Sequence, residues 1–353
     1  MTVLISCIML AGLVYCLIWR TRRRERLIPP PRRHRHIPWT GPELTLVLLI
    51  YVILPFLAMW LLTLVGVLAP VADPNNMTTE EFKPRIVVNL LISPFIVILS
   101  LMLLKANSFT KPRHVGFTLW RWRNSLTLGY ICFLIMTPMV LGIQFISTVI
   151  MKWEGITVQE HPLLKIGGPH AEPWVLCVIP LQVMIAAPVV EEFVFRGVML
   201  PWLSQRWWGG WSAMAAAIVI GLSMVEQSRA PLAFALVISL LGIAFTFPHR
   251  GEQWARRAII GTSVLFAMVH ANVWPTPIPL LVLGLALGWA AHRTRSLIAP
   301  ITLHALFNGV ATLMLLTGFP PQTKGKAETS AATRSEPASI STAVPGVWWP
   351  CRK

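Results

Sequence analysis

The chain has 353 residues, 55% hydrophobic and 12% charged, with a mean hydropathy of +0.64. These values exclude an ordinary soluble globule and point to an all-α, polytopic transmembrane helical bundle of about 8–10 spans. The formal charge of +16 comes from 30 Lys+Arg against 14 Asp+Glu. The basic residues lie in short loops between apolar runs, the pattern of topology signals, so membrane lipid is the expected partner and nucleic acid is not.

Residues 2–19 form an apolar run followed at once by Arg20, Arg22, Arg23, Arg24 and Arg26. That order reads as an uncleaved N-terminal anchor (1–19) with its basic flank in the cytoplasm. A basic, proline-broken cytoplasmic linker occupies 20–43. An N-terminal transmembrane region then covers 44–173, with spans at 44–70, 86–104 and 125–151. The loop at 71–85, with Asp73, Glu80 and Glu81, fits the outer side, whereas Lys105, Lys111, Arg113, Arg121 and Arg123 mark an inner loop.

A core region follows at 174–319, with spans at 174–200, 258–274, 276–292 and 298–319. Between the first two lies an inserted hairpin near 205–250, read as two apolar runs at 211–225 and 231–247. Arg250, Arg256 and Arg257 after it act as inner-side signals. The tail, 320–353, has a disordered composition. Of the five cysteines, Cys132 and Cys177 lie in these apolar runs with Cys7 and Cys16 in the first, and none forms a CxxC. Buried thiols are expected rather than disulfides or metal ligands.

Few ionisable residues remain at membrane depth. Glu191, Glu192 and Arg196 lie in the 174–200 run, His270 in 258–274, and His304 with Asn308 in 298–319. In hydrocarbon an unpaired charge costs about 2.5–3.5 kcal/mol on insertion scales. Glu192 and Arg196 stand one helical turn apart and can neutralise each other. Glu191, about 100° round the helix, has no partner in its own segment. Phe266 and His270 share a face, as do His304 and Asn308. Three polar clusters on three helices can meet only in a bundle interior. The span limits set His270 nearer the outer side and His304 nearer the inner side.

A desolvated carboxylate, two imidazoles and an amide suffice for water attack on an amide bond. No cofactor is required. A zinc site of Glu191, His270 and His304 is the metal-dependent alternative, although no HExxH is present. A transporter using the Glu/His cluster as a proton relay, or a non-catalytic scaffold, are the alternatives outside protease chemistry. The remaining histidines, His34, His36, His114, His161, His170, His249 and His292, fall in loops or at span ends and read as solvated.

Glu191-Glu192-x-x-x-Arg196, Phe266-x-x-x-His270 and His304-x-x-x-Asn308, in this order, resemble the CAAX prenyl protease and bacteriocin-processing (CPBP, or Abi) family of intramembrane proteases. Arg196-Gly197 and Ser296-Leu297-Ile298-Ala299-Pro300 add to the likeness. The resemblance covers about 174–319 and implies a multi-pass endopeptidase of the inner or plasma membrane acting on membrane-associated or prenylated substrates. It further implies that Glu191 activates water, His270 assists, His304 and Asn308 form an oxyanion hole, and Arg196 holds Glu192. The hairpin between Leu200 and Arg257 departs from the family pattern. Having an even number of spans, it preserves the relative direction of the motif helices.

Overall fold

A computed structural model describes residues 14–15, 18, 37–71, 77–154, 172–246 and 253–316. Most of the anchor at 1–19, most of the linker at 20–43, residues 155–171 at the end of the N-terminal transmembrane region and the tail at 320–353 lie outside the described residues.

Among the described residues the chain forms nine main helices and no strand. They are α1 (Gly41–Leu64), α2 (Thr79–Ser108), α3 (Trp122–Trp153), α4 (Pro173–Leu203), α5 (Gly209–Ser223), α6 (Ala230–Phe245), α7 (Gln253–Met268), α8 (Pro277–Thr294) and α9 (Ile298–Leu316). By length and composition α1 to α4 can each cross a membrane, and α5, α6 and most of α9 are shorter apolar helices. The chain is an integral membrane protein built as a helical bundle.

Helix starts follow local chemistry. Glu43 accepts from the Thr40 backbone N–H and hydroxyl and begins α1. Glu81 accepts the Thr78 N–H at 2.7 Å while Thr78 Oγ1 accepts the Glu81 N–H at 3.3 Å. This reciprocal cap draws Glu80 and Glu81 out of the expected loop and into the first turn of α2. Lys83 on that turn bridges Glu80 and Glu172, tying α2 to the start of α4. Lys83, with the Trp174 indole, holds the Glu172 carboxyl below the usual carboxylate range.

α4 is the axis of the bundle. Phe193, Val194, Phe195 and Val198 are at most 2% exposed. Two stretches of α4, Leu181–Ala186 and Phe193–Met199, are wound as π-helix. A proline ring clashes with the carbonyl four residues earlier. For Pro188 that carbonyl is Met184's and for Pro201 it is Gly197's, so each wide turn lies where a regular helix would collide with itself.

Close approaches of backbone fix the neighbours of α4. A Cβ on Gly197 would stand 2.8 Å from the Val115 carbonyl oxygen. A Cβ on Gly129 would stand 2.5 Å from that of Ala299, which is how α3 and α9 come together. The Leu297 N–H donates to the Gly116 carbonyl at 3.0 Å, joining the loop before α3 to the start of α9.

The inserted segment is a helical hairpin, α5–α6. Its helices have 15 and 16 residues, about 23 Å each, shorter than the ~30 Å hydrocarbon core. Arg257, expected as an inner-side signal, is fully buried. Its Nη2 and Nε donate to the Thr246 carbonyl at 2.6 and 3.2 Å, and Nη1 reaches the Trp207 carbonyl at 3.4 Å. The guanidinium therefore caps α6 and fastens both ends of the hairpin to α7, because the carbonyls at a helix C-terminus need donors. Arg256 beside it is exposed. Cys132 is half-buried and free, whereas Cys177 is free and exposed, not buried as expected. It lies in the first turns of α4, on a face that the described residues leave exposed.

Candidate active site

The site is assembled between α4 and α9. Glu192 Oε1 receives two donors, Arg196 Nη1 at 3.0 Å and His304 Nδ1 at 2.9 Å. All three side chains are nearly or wholly buried. The helical pairing of Glu192 with Arg196 is as the spacing predicts. Arg196 Nη2 also reaches the Gly284 carbonyl of α8 at 3.4 Å.

An ionised carboxylate can only accept, so the His304 proton sits on Nδ1. Nε2 is then turned outward and faces Glu191 Oε2 at 3.8 Å. Glu191 is 16% exposed at its side chain, the least enclosed member of the group. Its Oε2 has no hydrogen-bond partner within the protein.

Phe266 of α7 joins the clusters. Its ring lies 4.3 Å from the Arg196 guanidinium carbon, a cation–π contact, and 5.8 and 5.1 Å from the His304 and His270 rings. The two histidines set at different depths by the span limits thus both touch one aromatic ring. His270 departs from expectation in one respect: α7 ends at Met268 and His270 sits in the following turn. The turn leads into Trp274-Pro275-Thr276-Pro277, and residues before proline avoid the helical region. His270 Nδ1 lies 2.8 Å from the Phe266 carbonyl. A carbonyl only accepts, so this ring too carries its proton on Nδ1 and leaves Nε2 as an acceptor.

Asn308 is half-buried one turn beyond His304, and its Nδ2 donates to the Val183 carbonyl at 2.9 Å. Val183 lies in the first wide turn of α4. The second amide hydrogen of Asn308 is not used by that bond. The anchoring carbonyl had no signal in the sequence beyond Pro188. Among the described residues no group of three or more His, Cys, Asp or Glu is arranged to hold a metal ion.

A buried Glu–His pair that fixes a tautomer, a second carboxylate opposite the free ring nitrogen, and a second oriented imidazole nearby can take a proton from water and hand it on. Residues 173–249 and 247–310 match the family model described as "Rce1-like: Type II CAAX prenyl endopeptidase Rce1-like". No curated protein and no solved structure matches the chain. The matched stretch holds Glu191, Glu192, Arg196, Phe266, His270, His304 and Asn308, and residues 173–310 of this membrane protein are similar to the Rce1-like type II CAAX prenyl endopeptidase family.

Proposed function

We propose that the chain is an intramembrane endopeptidase that hydrolyses peptide bonds of membrane-associated, prenylated substrates with water activated by Glu191. The observation that carries this reading is the buried relay Glu192–His304, whose free Nε2 faces the partnerless oxygen of Glu191. Water attacks the scissile carbonyl carbon as Glu191 takes its proton, and His270 Nε2 accepts the second hydrogen bond of the same water. The proton passes to His304 Nε2, making an imidazolium between two carboxylates. Protonated His304 and the free amide hydrogen of Asn308 donate to the oxyanion. The C–N bond then breaks as the proton moves to the departing amine, giving a carboxylic acid and an amine. Arg196 does not touch the substrate and positions Glu192. The reaction needs no metal in this scheme. The enzyme acts in the cell's inner or plasma membrane.

Cleavage of an internally quenched, prenylated CAAX peptide by the purified full chain tests this. Wild type cleaves, strong chelators leave the rate unchanged, and Glu191→Gln lowers it by at least ~10²-fold. Equal rates in wild type and Glu191→Gln would refute the mechanism. Loss of activity on chelation, with recovery on adding zinc, would replace it with a metalloprotease.

A further inference from the structure

α1 lies outside the residues that match the family model, yet its inner face reaches the candidate site. Leu44, Val47, Leu48, Tyr51 and Leu54 recur at helical spacing and pack into the main core, while Leu46, Val52, Ile53 and Phe56 are exposed. The start of α1 is pinned to the end of α4. The buried Trp39 indole donates to the Val198 carbonyl at 3.3 Å, within the second wide turn. A Cβ on Gly41 would stand 3.2 Å from the Trp202 ring. The two helices run antiparallel, so ten residues on from Gly41 and ten back from Trp202 bring Tyr51 level with Glu192. The Tyr51 ring meets Phe195 edge to face at 6.1 Å, and Phe195 meets Phe266 in the same way at 5.4 Å.

From Leu46 to Leu62 only Tyr51 and Trp60 carry a side-chain nitrogen or oxygen. Trp60 is exposed, whereas Tyr51 is turned into the bundle. The phenol lies where the charges of Glu191 and Arg196 both act on it. It makes no hydrogen bond among the described residues. α2 does not take its proton either. Glu43 lies beside Ser108, so eight residues on along α1 and eight back along α2 set Ser100 opposite Tyr51. Ser100 is wholly buried and its own hydroxyl has no partner. Glu191 Oε2 at the same level is likewise without one. A hydroxyl kept at this depth with no acceptor is costly, and the acceptor it suits is one that arrives with the substrate.

We infer that Tyr51 is a further catalytic residue, its phenol O–H donating to the oxygen of the scissile carbonyl beside Glu191. This role rests on the peptide-bond chemistry proposed above. A tetrahedral oxyanion has three lone pairs. His304 and Asn308 address two of them from α9, and Tyr51 supplies the third donor from α1. The phenol keeps its proton throughout, so no bond is made or broken at it. Its ring is held edge-on by Phe195, which sets the donor in place before the charge develops. The site is then completed by a helix that the family model does not cover.

Kinetics on the quenched, prenylated peptide are compared for full-length wild type, Glu191→Gln and Tyr51→Phe. Phenylalanine keeps the ring against Phe195 and removes only the hydroxyl, so the unfolding midpoint stays level or rises. Tyr51→Phe lowers kcat about 10²-fold, the loss expected of one oxyanion donor, with KM near that of wild type. A raised KM at unchanged kcat would make Tyr51 a binding contact and overturn the donor role. Cleavage lost in Glu191→Gln but kept in Tyr51→Phe would overturn Tyr51 alone and leave the peptidase reading standing. No cleavage by wild type, or equal rates in wild type and Glu191→Gln, would overturn the peptidase reading and this role with it. A second measurement needs no substrate. The chain has 3 tyrosines, so labelling with 3-fluorotyrosine gives one fluorine resonance for each, and the one absent from Tyr51→Phe belongs to position 51. That resonance shifts in Glu191→Gln. A resonance that stays in place would overturn the juxtaposition of Tyr51 with Glu191.

Discussion

Glu192 and His304 lie 112 residues apart in the chain and meet at 2.9 Å across the α4–α9 contact. This bond holds the histidine ring so that its other nitrogen looks at Glu191. The two adjacent glutamates therefore have different work, which substitution separates.

Glu192→Gln leaves Arg196 buried without its countercharge and releases the His304 tautomer. Breaking a buried pair by removing one partner costs about 3–5 kcal/mol. The expected result is a marked fall in the unfolding midpoint together with loss of cleavage. Glu191→Gln removes a charge that nothing in the protein bonds at Oε2, so activity is lost while the midpoint stays level or rises. Thermal unfolding beside the peptide assay distinguishes the two.

Glycine positions give a test of packing alone. Gly197→Ala drives a methyl against the Val115 carbonyl and should cost about 1–3 kcal/mol. Gly142 lies within α3 with nothing within 4 Å of an added Cβ. Gly142→Ala should be neutral or stabilise by about 0.5–1 kcal/mol, since glycine in a helix interior is unfavourable. Unfolding midpoints of the two variants should move in opposite directions or by clearly different amounts.

Arg257 should control the hairpin and not the chemistry. Arg257→Met removes its bonds to Thr246 and Trp207, worth about 1.5–3 kcal/mol for a charged donor. Hydrogen exchange should accelerate in α5 and α6 before it does in α4 or α9. Arg257→Lys should rescue poorly, because an ammonium lacks the planar fork that serves both carbonyls.

Cysteine labelling reports the sidedness of α4. In single-cysteine proteins Cys177, exposed near the start of α4, should react with a lipid-soluble maleimide faster than half-buried Cys132. Similar rates would contradict the packing of α3 against α8 and α9.

Much of this architecture was legible because membrane helices announce themselves as apolar runs. The expected span at 125–151 is realised as Trp122–Trp153, and that at 298–319 begins at Ile298. The Glu192–Arg196 pairing followed from helical spacing, and the meeting of the clusters followed from the cost of leaving their charges in lipid. The depth mismatch of His270 and His304 was an error of helix ends: the apolar run continues to Trp274, but the helix does not. Arg257 was misread because a buried cap and a topology signal look the same in one dimension. His292 is exposed in the last turn of α8, as read from the sequence, and His114 is half-buried in the turn at Pro112–His114.

The wide turns of α4 bracket the two adjacent glutamates. Glu191 and Glu192 belong to the regular stretch Ala187–Glu192, with one widened segment before it and one after. An added residue in a helix swings whatever follows by about 100° and advances it 1.5 Å. The direction in which the two glutamates point is thus set by how many residues lie between Pro180 and Pro188, in addition to what those residues are. A one-residue deletion there would leave every motif letter intact and still turn the carboxylates away from the ring of His304. In this chain, spacing outside the motif is as much a part of the candidate site as the motif itself.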